Sequence, residues 1–158
     1  MNELILSIFL TLLPLIELRG GLPLALLNAS KYGVSNLLIF LIIVFLNILL
    51  IFIIFFFLDN IHNVLIKFNF YKKFYSFYLK KMRKKISKFE KLHSSIGLVA
   101  LFIFVAIPLP LTGAYTGTFI SWVLGLDRKK SILAISLGVL TAGIIIYFST
   151  LGIISFLN

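Results

Sequence analysis

The chain has no cysteine, which excludes disulfides, a thiolate nucleophile and cysteine-held metal. Acidic side chains are scarce: five Asp and Glu stand against 15 Lys and Arg, for a net charge of +10. Histidine is limited to His62 and His93, which flank a basic region, and no His/Glu spacing marks a metal site. No glycine-rich loop marks a nucleotide site, and no nucleophile is matched with a base. The chain is therefore read as a non-enzyme with no cofactor and no metal. Long stretches also lack charge altogether: residues 37–58 hold none, and Asn47 is their single polar side chain.

What is present is apolar. Hydrophobic residues make up 61% of the chain, against roughly 45–50% in soluble domains. The expected class is an all-α integral membrane protein, multi-pass in the cell membrane. The basic residues do not spread over a surface, since ten of the 15 lie within residues 67–91. Among long apolar blocks such a cluster points to membrane lipids, especially anionic ones, and not to nucleic acid. The start Met1-Asn2-Glu3 lacks the basic region of a secretory signal, so cleavage there is not expected.

Residues 37–58 are long enough to cross a bilayer, since about 20 apolar residues span the hydrocarbon core. Residues 132–156 form a second span, with Gly138, Gly143 and Gly152 and the hydroxyls of Ser136, Thr141, Ser149 and Thr150 suited to close helix packing. Two other apolar stretches are interrupted. Residues 4–27 contain Pro14, Glu17, Arg19, Gly20, Gly21 and Pro23. Residues 96–126 contain Pro108, Pro110, Thr112, Gly113, Thr116 and Gly117. Proline removes a backbone donor and glycine loosens the chain, so both clusters are expected to break the helix. A re-entrant hairpin fits each stretch better than a kinked span.

A shift of 94 residues maps Pro14 onto Pro108 and Leu38 onto Ile132. Each half then reads as apolar arm, break, apolar arm, basic link and full span. The links are Lys31-Tyr32-Gly33 and Asp127-Arg128-Lys129-Lys130. The expected domain is single, with repeat 1 at about 4–58, a connector at about 62–94 and repeat 2 at about 96–156. One crossing per half places both basic clusters on one side, as the positive-inside rule prefers, with the connector cytoplasmic and both termini outside. It also inverts the repeats relative to one another, a recurring design of secondary transporters.

Within the connector, Tyr71, Phe74, Tyr75, Tyr78, Met82, Phe89 and Leu92 recur at helical steps. The opposite face carries Lys72, Lys73, Lys80, Lys81, Arg83, Lys84, Lys85 and Lys88. This predicts a basic amphipathic helix lying against anionic head groups. The plainer alternative is a loop that only fixes topology.

Glu17 and Arg19 are the acid and the base inside an apolar stretch. A charge at membrane depth costs at least ~2.5–3.5 kcal/mol, so such residues usually pair or face a cavity. They are read as a substrate or ion site, or as a pair locking a hairpin tip. Burial favours neutral Glu17 while Arg19 favours its carboxylate, which makes Glu17 a candidate proton carrier. Arg19 can fork onto a phosphate or carboxylate. The second break offers Thr112, Tyr115, Thr116 and freed N–H groups that favour anions. Asn47 is expected to hydrogen-bond a neighbouring helix.

Two motifs carry a family resemblance over essentially the whole chain. Glu17-Leu18-Arg19-Gly20-Gly21-Leu22-Pro23 resembles the E-x-R-G-x-x-P signature of the small multidrug export proteins. Pro108-Leu109-Pro110-Leu111-Thr112-Gly113-Ala114-Tyr115-Thr116-Gly117 resembles that family's second signature. Where that pattern has Gly and Trp, this chain has Leu111 and Tyr115. The family looks related to the wider DedA-like membrane superfamily. That resemblance implies paired re-entrant hairpins with acidic and arginine residues at their tips, and movement of polyprenyl-phosphate or other phospholipid across bilayers with ion coupling.

Three functions are carried forward. The first is a transporter of an anionic amphiphile, coupled to protons or another ion, with Arg19 at the head group and Glu17 carrying the proton. The second exports small hydrophobic cations, with Glu17 as counter-charge. The third is a non-transporting membrane scaffold. Self-association into a homo-oligomer is compatible with all three.

Overall fold

The computed structural model describes residues 2–14, 16–65 and 90–157, and among these it is all helical. The order is α1 (Asn2–Leu10), α2 (Glu17–Ala29), a 3-10 turn (Ser30–Tyr32), α3 (Asn36–Leu65), α4 (Glu90–Ala106), α5 (Ala114–Val123) and α6 (Arg128–Leu157). The expected amphipathic helix, with Lys72, Lys73, Lys80, Lys81, Arg83, Lys84, Lys85 and Lys88, lies outside the described residues.

Helices α3 and α6 are each long and apolar enough to cross a membrane, over Asn36–Ile61 and Arg128–Phe156. The best window of each has a mean hydropathy of 3.5 and 2.2, yet only 39% of either is buried. A core helix of a soluble protein is mostly buried. Here Phe45, Phe52, Phe56, Phe57 and Phe148 all face outward. Apolar side chains left outside in this number call for lipid as the surrounding solvent. Both helices overrun the expected spans into polar flanks such as Asp59 and Arg128. Helical hydrogen bonding continues there, while side-chain hydropathy marks only the part that meets hydrocarbon.

The two long helices run in opposite directions. Asp59, near the end of α3, forms an ion pair with Arg128, the first residue of α6. Around them sit two folded-back helix pairs. Helix α1 leads down to α2, and Glu3 at its start meets Lys31, just past α2, at 2.7 Å. That pair is exposed; the Lys31 bond holds the Glu3 carboxyl below its ordinary range. The close approach of α1 to α2 requires glycine: a Cβ at Gly21 would lie 2.0 Å from Thr11 Cγ2 and 2.9 Å from the Ser7 carbonyl. Helices α4 and α5 also return to their starting end, where a Cβ at Gly97 would sit 3.5 Å from Leu126 Cδ2 in the link after α5. The first pair enters from the end where α3 begins, the second from the end where α3 finishes.

The packing between elements is crosswise. Helix α2 lies on α6 as well as on α3, and α5 lies on α3 as well as on α6. One apolar cluster joins them, including Leu22 and Leu26 of α2, Ile39 and Ile43 of α3, Val105 of α4 and Ile135 of α6. In lipid such contacts are held by close fit, since hydrocarbon offers no hydrophobic drive between helices. Gly138 supplies that fit against α4, where a Cβ would come within 2.8 Å of Val105 Cβ.

The first break falls around Pro14, as expected, but the later members of the cluster do not interrupt the helix. Gly20, Gly21 and Pro23 lie inside α2, and the helix is interrupted upstream, between Leu10 and Glu17. The missing N–H of Pro23 costs one helical bond, to the carbonyl of Arg19, and the rest of the ladder carries on. The turn is built from short-range bonds such as Leu12 N to Phe9 O at 3.0 Å, with Glu17 itself at φ +46°.

Candidate functional site: two helix tips joined at mid-depth

The tips of the two helix pairs meet in the middle of the molecule. The tip of the first pair ends on Glu17, buried at 6% exposure. Its Oε1 accepts a hydrogen bond from the backbone N–H of Tyr115 at 3.1 Å. Tyr115 is in the first turn of α5, whose N-cap is Gly113, with no side-chain cap of its own. The carboxylate of Glu17 thus caps α5 from another part of the chain. A negative charge at a helix N-terminus is favoured by the dipole and by the unpaired N–H groups there. Gly113 makes room for it, because a Cβ at that position would sit 1.3 Å from Glu17 Oε2.

Arg19 reaches the same tip from one helical step further on. Its Nη2 donates to Thr112 Oγ1 at 2.6 Å and to the Ile107 carbonyl at 3.3 Å. The Thr112 hydroxyl lies 2.9 Å from the carbonyls of both Ile107 and Leu109 and can donate to one at a time. Tyr115 returns the contact: its hydroxyl donates to the Leu12 carbonyl in the first break at 2.6 Å. Glu17 and Arg19 form no ion pair with one another; the ion pairs among the described residues are Lys31–Glu3 and Arg128–Asp59. Of the two readings, the one in which they pair with each other to lock a tip is not what the structure has. Both charges grip the opposite tip instead.

Of the residues singled out in the sequence, the structure brings together Glu17, Arg19, Thr112, Gly113 and Tyr115. The others stand apart. Pro23 is in the body of α2, and Pro108 and Pro110 shape the loop between α4 and α5. Gly117 packs against α4, where a Cβ would lie 2.7 Å from Val105 Cγ2. Thr116 faces a groove between α3 and α5. That groove has a volume of about 470 Å³ and is lined by apolar side chains, among them Leu50, Ile53, Phe57 and Phe119, with Tyr115 beside Thr116.

The space at the joined tips is small, about 10 Å³, lined by Glu17, Arg19, Asn47, Gly113, Ala114 and Ala142 among others. A single water needs about 10–15 Å³ on that measure. The site is closed. It lies at mid-depth, because Asn47 and Ala142 fall near the middle of the spans Asn36–Ile61 and Arg128–Phe156. Asn47 was expected to bond a neighbouring helix; its Nδ2 donates to the Ile43 carbonyl of its own helix at 2.9 Å. A self-satisfied donor spares the amide the penalty of an unmade bond at this depth.

Two features went unread in the sequence. One is the role of Gly113, which was singled out as a site residue but not as the cradle of Glu17, because that contact is with a residue 96 positions away. The other is at the outer end of α5. There Asp59 accepts from Trp122 Nε1 at 3.0 Å and from Arg128, whose guanidinium stacks 4.9 Å from the Phe55 ring centre. An acid directly after an uncharged span, and a basic link in the other half, were the available signals.

No curated protein and no solved structure matches the chain. Two apolar helices of membrane-crossing length, with a charged site between helix tips, agree with the family that is found: a family model described as "Putative small multi-drug export protein" matches residues 17–145, and the chain belongs to that family.

Proposed function

We propose that the chain is an ion-coupled transporter of an anionic amphiphile, such as a polyprenyl phosphate or a phospholipid. The observation that carries this reading is the Glu17 carboxylate seated on the N-terminus of α5. An anion site already exists at mid-depth, and a side chain of the protein fills it. Protonation of Glu17 withdraws the negative charge and releases the Tyr115 N–H. The phosphate of a substrate then takes the place of the carboxylate. Arg19 uses Nη2 on the second tip, which leaves Nη1 and Nε to meet the phosphate in the forked geometry that guanidinium favours. The groove between α3 and α5 reaches Tyr115 and Thr116, so an apolar chain can remain in it while the head group is at the tips. Loss of the proton restores the cap and closes the site.

The finer architecture belongs to this proposal. The two helix pairs are read as re-entrant hairpins and the halves as inverted repeats. Support comes from their entry at opposite ends and from the exchange by which α2 packs on α6 while α5 packs on α3. The kinship to the DedA-like superfamily, and a cytoplasmic connector in the cell membrane, are part of the same reading.

A second reading is favoured by the family description and by the groove's lining. A hydrophobic cation would use the same groove, and Glu17 would leave α5 to become its counter-charge. Reconstituted protein separates the two, with lipid-phosphate flipping and cationic-dye efflux assayed in the same vesicles under an imposed pH gradient. Flipping that needs the gradient supports the first reading. Dye efflux without flipping overturns it in favour of the second, and neither activity leaves a scaffold.

A further inference from the structure

A second groove lies on the outside of the molecule, between α3 and α6. It has a volume of about 360 Å³ and is lined by Ile48 of α3 and by Ile132, Leu133, Leu137 and Leu140 of α6, with Lys129 at one end. Its axis follows α6. From Lys129 to Leu140 the helix rises roughly 16 Å at ~1.5 Å per residue, about half the ~30 Å hydrocarbon core. The groove therefore runs from the membrane surface to mid-depth, the reach of a single leaflet.

Among the described residues, the charge at its mouth has no ion-pair partner. Arg128 is held by Asp59, and the Asp127 carboxylate caps α6 by accepting from the Lys130 N–H at 2.9 Å. Lys129 is exposed and forms no ion pair among the described residues. A cation above an apolar slot between two membrane helices matches an anionic head group above an acyl chain. The lining offers little to a soluble polar partner, and the surrounding surface is apolar.

We infer that this groove is a binding site for an anionic phospholipid, with one acyl chain between α3 and α6 and the phosphate on Lys129. The site is separate from the joined tips and does not depend on the transport reading. It takes a lipid from the leaflet at which α6 begins. Its effect is to support α6 against α3 at mid-span, where Ile48 lines the groove.

The test places a fluorescent reporter in the groove. Full-length protein carrying Leu137→Trp is reconstituted in mixed phosphatidylglycerol and phosphatidylcholine bilayers. In one set the phosphatidylglycerol chains are brominated, in the other the phosphatidylcholine chains. Quenching is read as the difference from the parent, which holds Trp122 alone. One lysine at an anionic surface corresponds to about a fivefold preference, so brominated phosphatidylglycerol should quench with about that advantage. Lys129→Gln should bring the preference close to one. Neutralising Lys72, Lys73, Lys80 and Lys81 should leave it in place. Leu133→Trp repeats the reading nearer the surface if the first variant folds poorly. Equal quenching by the two lipids overturns the inference. So does a preference that survives Lys129→Gln, or one that is lost when the connector lysines are neutralised.

Discussion

Glu17 and Gly113 are 96 positions apart in sequence and in contact in the fold, the glycine leaving the space that the Glu17 carboxylate fills. A methyl group at 113 would overlap Oε2 outright, at 1.3 Å. The atoms in the way all belong to the Glu17 carboxyl group, so it is that side chain which must leave. The acid and its cradle are therefore one device spread over both halves of the chain.

Gly113→Ala should expel the carboxylate from α5. Separating the Glu17 carboxylate from the Tyr115 N–H leaves buried polar groups unpaired, at about 1–3 kcal/mol apiece. The expected outcome is a large fall in the thermal stability of detergent-solubilised protein, with transport lost. Gly152→Ala is the control, since a Cβ there meets nothing within 4 Å. Stability of the Gly113 variant equal to that of the control would remove the cradle from the account.

Leu111 tests a different sort of fit. It holds φ +67°, in the left-handed region, and is exposed. Left-handed backbone costs a side-chain-bearing residue about 1–2 kcal/mol, partly offset by the greater freedom of glycine when unfolded. Leu111→Gly should stabilise the protein by about 0.5–1 kcal/mol, read as a higher melting temperature with transport unchanged. A lower melting temperature would mean that the Leu111 side chain makes contacts in lipid that outweigh the strain.

Much of this was legible in the sequence, and for stated reasons. The two spans announce themselves because residues 37–58 and 132–156 lack charge over a bilayer's length. Glu17, Arg19, Thr112 and Tyr115 stand out because polar groups in apolar stretches demand partners. Which partners they take was not legible. At positions i and i+2, Glu17 and Arg19 could have met only across a distorted backbone, and the structure sends them to Tyr115 and Thr112 instead. That choice depends on three-dimensional contact between tips far apart in sequence. The first break was placed rightly at Pro14 but extended too far, because Pro23 looks like a breaker and α2 tolerates it. Asp59 was passed over since an acid at a span's end is ordinary until Trp122 and Arg128 are seen to converge on it.

The topology has a direct check. With no native cysteine, Lys84→Cys and Lys130→Cys each introduce a single thiol. The ion pair between Asp59 and Arg128 puts the end of α3 and the start of α6 at one face. Both thiols should therefore react with an impermeant maleimide from the same side, the cytoplasmic one. Labelling from opposite sides would refute the reading of the two helix pairs as re-entrant.

The decisive experiment returns to Glu17 and Arg19. Glu17→Gln keeps an oxygen for the Tyr115 N–H but cannot titrate, so transport should lose its dependence on a pH gradient while the fold persists. Arg19→Lys should fail beyond what its retained charge suggests, because an ammonium cannot bond Thr112, the Ile107 carbonyl and a phosphate in the guanidinium's fixed fork. Each single replacement by an apolar residue strands the polar groups it served, at about 1–3 kcal/mol apiece. These are the Tyr115 N–H for Glu17 and the Thr112 hydroxyl oxygen for Arg19, since the Ile107 carbonyl keeps the Leu109 N–H at 2.8 Å. The double variant Glu17→Leu, Arg19→Met removes both charges and restores apolar volume, a replacement that buried ionic groups often tolerate. If it folds and is inactive in flipping, the two charges are the transport site. If it folds and still transports, they are tip fasteners alone, and the search for the substrate contact moves to Thr112, Tyr115 and Thr116, which border the groove and the second tip.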